Sequence, residues 1–224
     1  MQRLNNLADR LQKENTSAKS DDDVVICAAV RTPLTKGKRG GLKDTAPEVM
    51  LSTVLREAAA RAKINPEKIQ DIAVGNNLQP GAGEITGRMG MFLAGYPDTT
   101  SIVAINRLCS SGLEACAIIA SKIKTGIIDI GVGSGVESMS LYDMNGSVNV
   151  EVLSEAVFEH EKARVCLTSM GETSENVAEK YGITRKQQDE MAVESHRKAT
   201  LAQKNGLFDS EIVPVNTILK NKEG

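Results

Sequence analysis

Cys109 is the residue of this sequence whose position best suits covalent chemistry. Residues 102–105, an Ile-Val-Ala-Ile run, predict a buried strand, and small polar residues follow it. Apolar residues then recur at spacings of four and three, at Leu113, Ala117, Ala120 and Ile123. That spacing predicts a helix, which Gly126 ends. We therefore expect a strand, a tight turn and a helix, with Cys109 at the N-terminus of the helix.

A cysteine at the start of a helix is suited to nucleophilic attack. Unpaired backbone N–H groups and the positive end of the helix dipole favour a thiolate, which is the reactive form of the side chain. Ser110, Ser111 and Gly112 carry little bulk, so a substrate carbonyl has room to approach the sulfur and the neighbouring amides. The pattern predicts a nucleophilic cysteine; the alternative is an inert buried thiol.

Composition argues against several other classes of function. The formal net charge is −2 and no basic, aromatic-rich cluster occurs, so nothing indicates a nucleic-acid partner. No apolar run of about 18 residues exists, so no membrane span is expected. The cysteines form no C-x-x-C pair; they stand at positions 27, 109, 116 and 166. Their spacing argues against a disulfide framework or a zinc site and favours a reducing compartment.

The sequence around Cys109 resembles the nucleophile motif of the thiolases, enzymes that cleave or form 3-ketoacyl-CoA. This motif is residues 106–113, Asn-Arg-Leu-Cys-Ser-Ser-Gly-Leu. Further segments resemble thiolase motifs in the same order along the chain: residues 25–33, 40–45, 74–83, 135–140 and 170–178. The resemblance covers about residues 23–215 and is to the N-terminal portion of the peroxisomal-type 3-ketoacyl-CoA thiolases.

The resemblance implies a two-step acyl transfer. Cys109 would attack the keto carbonyl of a 3-ketoacyl-CoA to form an acyl-enzyme, and CoA would then take the acyl group. Coenzyme A and acyl-CoA are thus expected as substrates, with no permanently bound cofactor. Met170 would line the tunnel that receives the pantetheine arm of CoA, although a methionine is also a common gap-filler in cores. The family also implies a homodimer built around the strand and helix near the nucleophile.

The expected fold is α/β: a thiolase-like, layered βαβ domain with a mostly parallel sheet, plus an incomplete, helix-rich inserted loop domain that covers CoA. We expect three parts: an N-terminal targeting-like helix and linker at 1–22, the α/β domain at 23–140 and the partial loop domain at 141–224. The C-terminal thiolase domain is expected to be absent. Arg3, Leu4 and Leu11 fit a type 2 peroxisomal targeting signal, but Arg10 does not. We expect a peroxisomal location and an import receptor as partner, with a cytoplasmic location as the alternative.

Local signals predict the elements of these domains. Strands are expected at 24–30, 69–78, 102–105, 127–132 and 211–215. Capping boxes are expected at 45–48 and 184–187, and Thr173 or Ser174 is expected to cap a helix that Gly182 stops. Three alternating glycines at 131, 133 and 135 do not fit a dinucleotide-binding fingerprint, because Val136 stands where its third glycine belongs. We expect them instead to allow close backbone packing behind the nucleophile.

The groups that would move protons are not identifiable in this sequence. The family uses a histidine, an asparagine and a second cysteine from its C-terminal half, whereas His160 and His196 stand in charged helical stretches and are expected on the surface. We therefore expect no turnover by this chain alone. The alternative is a non-catalytic CoA- or partner-binding module, with which Leu108 and Ser169 are consistent because the family usually has Gln and Pro there. A ketoacyl synthase is a third interpretation, against which residues 170–178 count.

Overall fold

The structure is a computed structural model that describes residues 19–144 and 148–220. The helices are α1 (Pro47–Ala62), α2 (Glu84–Leu93), α3 (Ser111–Lys124), α4 (Glu155–Glu159), α5 (Glu161–Arg164), α6 (Met170–Tyr181) and α7 (Arg185–Lys204). The strands are β1 (Asp71–Gly75), β2 (Ser101–Ile105) and β3 (Gly131–Gly135). Short 3₁₀ turns lie at Pro66–Lys68, Pro80–Gly83, Val150–Val152 and Val165–Leu167. Within these residues, no helix combines the length and apolarity that crossing a membrane requires.

The three strands form one parallel sheet in the order β2-β1-β3. Asp71 of β1 pairs with Ser101 on one side and with Gly131 on the other, so all three strands run in register to their C-terminal ends. Parallel neighbours need crossover connections, and the helices α2 and α3 provide them. The predicted α/β class with a parallel sheet is confirmed.

The central strand divides the core into two apolar layers. Successive side chains of a strand point to opposite faces, so Ile72 and Val74 pack toward α1 and α2, whereas Ala73 packs against α3. Leu51 and Leu55, both fully buried, join the first layer. The result is a helix–sheet–helix sandwich. Within the described residues, α1 and α2 pack on one face of the sheet, and α3, the helix that follows Cys109, packs on the other.

The glycines of β3 allow α3 to pack directly on the sheet. A Cβ atom at Gly133 would lie 2.7 Å from the Cα atom of Cys116, and one at Gly131 would lie 2.9 Å from a methyl group of Ile119. A side chain on these strand positions would therefore push the helix away. This confirms the expectation of close backbone packing behind the nucleophile. The strand itself begins later than predicted, at Gly131 rather than at residue 127.

Residues 24–30 do not form the predicted buried strand. The segment is extended but lies outside the sheet, and Val25 and Ile26 are 70% and 87% exposed. Its continuation makes one isolated bridge, in which the Arg31 amide donates to Glu211 and the Arg31 carbonyl accepts from Val213. A strand needs a pairing partner along its length, and among the described residues this segment has that single bridge. The predicted strand at 211–215 is reduced to the same bridge.

Helix starts were predicted with mixed success. Ala46 precedes α1 without a side-chain cap, so the predicted capping box at 45–48 is wrong, and the Thr45 hydroxyl instead hydrogen-bonds the Thr217 hydroxyl. Ser169, not Thr173 or Ser174, caps α6, in a capping box with Glu172. The capping box at 184–187 and the stop at Gly182 are confirmed.

Residues 148–210 are rich in helix and contain no buried side chain. The helices α4 to α7 thus build no core of their own within the described residues. The division of the chain at residues 22 and 140 stays a prediction, and most of the predicted targeting helix, residues 1–18, lies outside the described residues.

Candidate active site

Cys109 lies in the turn that joins β2 to α3, as predicted. Ser110 is the N-cap of α3 and Ser111 its first residue, so Cys109 lies directly before the N-cap. Its side chain is exposed, which contradicts the alternative of an inert buried thiol. Its amide N–H has no hydrogen-bond partner among residues 19–144 and 148–220. The turn therefore presents both a thiol and an unpaired N–H donor to solvent.

The residue before the cysteine adopts an unusual backbone conformation. Leu108 has φ = 50°, in the left-handed region, and its side chain is 69% exposed. Left-handed backbone costs an L-residue about 1–2 kcal/mol, and an exposed side chain does not offset that cost by burial. Hydrogen bonds hold it instead: the Leu108 N–H donates to Asn106 Oδ1 at 2.9 Å, and the Leu108 carbonyl accepts from the Ser111 hydroxyl at 2.5 Å and from the Ser111 N–H at 3.1 Å.

The side chains that hold the turn are anchored in their own right. Ser111 is buried, and its hydroxyl also accepts from the Arg107 N–H at 2.9 Å. Asn106 Nδ2 donates to the Asn77 carbonyl at 3.1 Å, and the Asn77 N–H donates to a Glu137 carboxylate oxygen at 2.9 Å. A continuous set of contacts thus runs from Glu137, the second residue after β3, through the loop after β1, to the turn after β2.

Asn76 ties the same three strand ends together from inside the sheet edge. It is buried; its N–H donates to the Ile105 carbonyl at 3.0 Å, and its side-chain amide donates to the Val136 carbonyl and to Glu137. Its Oδ1 accepts from the Gln79 N–H at 2.9 Å. Every polar group of this side chain is therefore used in fixing the loops that surround Cys109.

Two further contacts fix the start of α3. A Cβ atom at Gly75 would lie 2.5 Å from the Ser111 carbonyl carbon, so the end of β1 touches the helix backbone directly. On the outer side, Arg107 Nη1 and Glu114 Oε2 form an ion pair at 2.5 Å across the turn. Arg107 is largely exposed, so this pair adds little stability.

No acid or base hydrogen-bonds Cys109 within the described residues. His160 accepts from the Ala163 N–H with Nδ1 at 3.3 Å and so caps α5, and His196 is exposed on α7. The predicted surface location of both histidines is confirmed. The described residues also contain no cluster of His, Cys, Asp and Glu that could hold a metal ion. The chemistry open to this turn is nucleophilic attack combined with hydrogen bonding to a developing oxyanion.

Met170, the second predicted site residue, is the first residue of α6. Its side chain is 62% exposed, so it fills no gap in a core. Two surface cavities, of about 520 and 600 Å³, are lined by neither Met170 nor Cys109. Neither of these cavities therefore joins the two predicted site residues.

The hydrogen bonds by which Asn106, Ser111 and Glu137 hold the Cys109 turn were not predicted from the sequence. A local signal existed for Asn106, because an asparagine directly after a strand commonly accepts a hydrogen bond from the amide two residues on. No local signal existed for Glu137, which contacts residues about 60 positions earlier in the chain.

Comparisons with known proteins agree with the motifs around this turn. The sequence profile described as "Thiolase, N-terminal domain" matches residues 24–223. The 3-ketoacyl-CoA thiolase A, peroxisomal, of Mus musculus is 48% identical over 205 residues, which cover 92% of this chain and 48% of the relative. The chain thus spans about half the length of this curated relative.

Two solved structures from Saccharomyces cerevisiae have the same fold over most of the chain. The dimeric peroxisomal thiolase superposes with a TM-score of 0.82 at 42% identity, covering 89% of this chain and 52% of that one. The peroxisomal 3-ketoacyl-CoA thiolase, a five-layered α-β-α-β-α structure of two core domains with identical topology, gives a TM-score of 0.76 at 39% identity, covering 89% and 53%. The predicted layered architecture is confirmed by these neighbours.

Proposed function

Because the chain belongs to the thiolase family, we propose that it is the N-terminal part of a 3-ketoacyl-CoA thiolase whose nucleophile is Cys109. The observation that carries the proposal is the Cys109 turn: an exposed thiol and an unpaired N–H stand together at the start of α3. The Mus musculus relative, 48% identical over 205 residues, is named for the same activity, which supports the choice of substrate.

The proposed reaction has two halves. The Cys109 sulfur bonds to the keto carbon of a 3-ketoacyl-CoA, the bond between C2 and C3 breaks, and C2 takes a proton to leave as acetyl-CoA. The thiol of a second CoA then attacks the acyl-enzyme, and Cys109 regains its proton. The covalent intermediate divides a difficult carbon–carbon cleavage into two easier steps. The Cys109 N–H is suited to stabilise the oxyanion of each step, because nothing in the described residues occupies it.

We assign Met170 to the surface that contacts the pantetheine arm of CoA. A largely exposed methionine at the first position of a helix is an adaptable apolar contact for such a chain. Met170→Ala should raise the Kd for CoA by about tenfold, since one buried methionine contact is worth about 1.5–3 kcal/mol and only part of it is lost. Met191→Ala on α7, which removes a methionine that is 76% exposed, is the control, and both Kd values are measured by calorimetry. Equal Kd values for the two variants would contradict the assignment.

We further propose a homodimer and a peroxisomal location. The edge strand β2 and the first turn of α3 expose Val103 and Leu113, at 40% and 76%, next to the Cys109 turn. Such apolar surface beside an unpaired sheet edge suits an interface with a second copy. The Saccharomyces cerevisiae neighbour is dimeric and the Mus musculus relative is peroxisomal, which supports both statements. An import receptor is the corresponding partner.

The decisive experiment measures thiolysis of a 3-ketoacyl-CoA by the 224-residue chain, with the intact mass of the protein read from the same reaction. We expect an acyl adduct on Cys109 that forms slowly, with solvent supplying the proton to C2, and that is lost in Cys109→Ala; turnover should be negligible because no acid or base hydrogen-bonds Cys109 in the described residues to speed either half-reaction. Cys116→Ala, which removes another exposed cysteine, is the matched control and should keep the adduct.

The other outcomes discriminate between the remaining functions. Turnover that depends on Cys109 would support the activity and show that the chain supplies its own acid and base. CoA binding without any adduct would contradict the proposal and favour the non-catalytic binding module. The departures from the family at Leu108 and Ser169 are the features that such a module would explain.

A further inference from the structure

The orientation of the peptide group between Leu108 and Cys109 is fixed by hydrogen bonds from Ser111 rather than by Cys109 itself. The Leu108 carbonyl accepts two hydrogen bonds from Ser111 and so points toward the start of α3. No cis peptide bond occurs in the described residues, and in a trans peptide the N–H points opposite to the C=O. The Cys109 N–H therefore points away from the start of α3.

This peptide direction depends on the left-handed conformation of Leu108. A leucine released from its hydrogen bonds relaxes to negative φ, because left-handed backbone is unfavourable for an L-residue. Such a change rotates the peptide that follows and with it the Cys109 N–H. Asn106 holds Leu108 from one side by accepting its N–H, and Ser111 holds it from the other by donating to its carbonyl.

Asn106 is itself oriented by a partner on another strand end. With Oδ1 bound to the Leu108 N–H and Nδ2 bound to the Asn77 carbonyl, both ends of the amide are used. Glu137 holds Asn77 in place by accepting its N–H. An aspartate at 106 would keep the acceptor but would face the Asn77 carbonyl with a negative charge, so only the amide satisfies both partners.

We propose that Asn106 and Ser111 are positioning residues for the nucleophile, which hold Leu108 in the left-handed conformation so that the Cys109 N–H faces the bound carbonyl. The inference rests on the proposed function, because it assigns the turn to acyl transfer. It predicts that the two residues matter for reactions that develop an oxyanion and matter little for the reactivity of the sulfur alone.

The test compares two reactions at the same cysteine. In acyl transfer from a short-chain acyl-CoA, a bond forms between the Cys109 sulfur and the carbonyl carbon, the bond from that carbon to the CoA sulfur breaks, and the proton passes from Cys109 to the CoA thiol. This reaction develops an oxyanion. Alkylation by iodoacetamide displaces iodide and develops none. Both rates are read at Cys109 by peptide mass spectrometry, with Cys27, Cys116 and Cys166 as internal references for exposure.

Asn106→Ala and Ser111→Ala should each slow acyl transfer to Cys109 by about 10- to 100-fold, the loss expected when an oxyanion donor is misplaced. Alkylation should change by less than about threefold. Ser111→Thr keeps the hydroxyl and should restore most of the rate. The matched controls are Asn65→Ala, whose side chain likewise accepts from the amide two residues on, and Ser121→Ala, whose hydroxyl binds a carbonyl further along α3. Both should leave the two rates unchanged.

A second variant separates positioning from general damage to the fold. Glycine adopts the left-handed conformation without strain, so Leu108→Gly should reduce the effect of Asn106→Ala when the two are combined. Equal losses in acyl transfer and alkylation, or full additivity of the two substitutions, would overturn the inference while leaving the proposed function intact. If the unaltered chain forms no acyl adduct on Cys109, the proposed function fails and this inference fails with it.

Discussion

Gly75→Ala tests whether direct contact between β1 and the start of α3 sets the position of the Cys109 turn. The added Cβ atom would lie 2.5 Å from the Ser111 carbonyl carbon and 2.6 Å from the Gly112 nitrogen. Nonbonded carbon atoms prefer about 3.5–4.0 Å, so strand and helix would have to separate by roughly 1 Å. The neighbours are backbone atoms, and no side-chain rotation can relieve the contact.

The magnitude follows from this geometry. Overpacking in a core costs about 1–3 kcal/mol, and a contact that only backbone movement relieves belongs at the upper end, about 3 kcal/mol. In a chain of this size each 1 kcal/mol lowers Tm by about 2–4 °C, so Tm should fall by about 6–12 °C. Acyl transfer to Cys109 should fall as well, because the helix that carries Ser111 is displaced. Thermal unfolding followed by circular dichroism measures the first effect, and peptide mass spectrometry measures the second.

Two other glycines provide graded controls for stability. At Gly112 an added Cβ meets nothing within 4 Å. Alanine there should raise the free energy of unfolding by no more than about 1 kcal/mol, because alanine favours a helix more than glycine does. At Gly131 the nearest atoms, at 2.9 Å, are methyl groups of Ile119 and Ile128, which can rotate, so the loss should be intermediate. A Tm for Gly75→Ala at or above that of Gly112→Ala would refute the packing argument.

Two further predictions concern the core on the opposite face. Burial raises the pKa of Tyr96 from 10.0 to about 12, so the free energy of unfolding should be nearly unaffected by this group below about pH 9 and should fall by about 2 kcal/mol as the pH rises from 10 to 12, where mainly the unfolded chain ionises. Urea unfolding at several alkaline pH values measures this loss in the free energy of unfolding. Tyr96→Phe is the reference, because it lacks the ionising hydroxyl. Leu51→Ala should cost about 2–5 kcal/mol because the side chain is fully buried, whereas Leu93→Ala, at an exposed position, should cost less than about 1 kcal/mol. Equal losses in urea unfolding would contradict the assigned core.

Local signals in the sequence predicted helices better than strands. Thr184 and Gln187 form the predicted capping box, and Gly182 stops α6 as predicted, because helix ends are decided by residues a few positions apart. The start of α6 was misplaced since several Ser and Thr residues compete there, and only Ser169 has a glutamate three residues later that reaches back to its backbone.

The strand predictions were wrong where strand formation depends on pairing with a neighbouring strand rather than on residue composition. The run at 24–30 is as apolar as a buried strand, yet it has no neighbouring strand along its length in the described residues. By contrast, the glycine-rich Gly131–Gly135 has poor strand propensity and still forms β3, because β1 pairs with it along all five residues and α3 packs closely on its glycines. Tertiary context overrode propensity in both cases.

The candidate site shows the same division between local and non-local information. Cys109 was predicted because strand, turn and helix signals are contiguous around it. The direction of its N–H was not, because that direction depends on Asn106 and Ser111 acting together with Asn77 and Glu137, which reach the turn only after the three strands have paired. Any turn can expose a thiol, but orienting the N–H beside it requires the hydrogen bonds that join the ends of all three strands. If acyl transfer depends on that N–H, substitutions that push the start of α3 away from the sheet edge, such as Gly75→Ala, should therefore reduce acyl transfer before they reduce alkylation of the same sulfur.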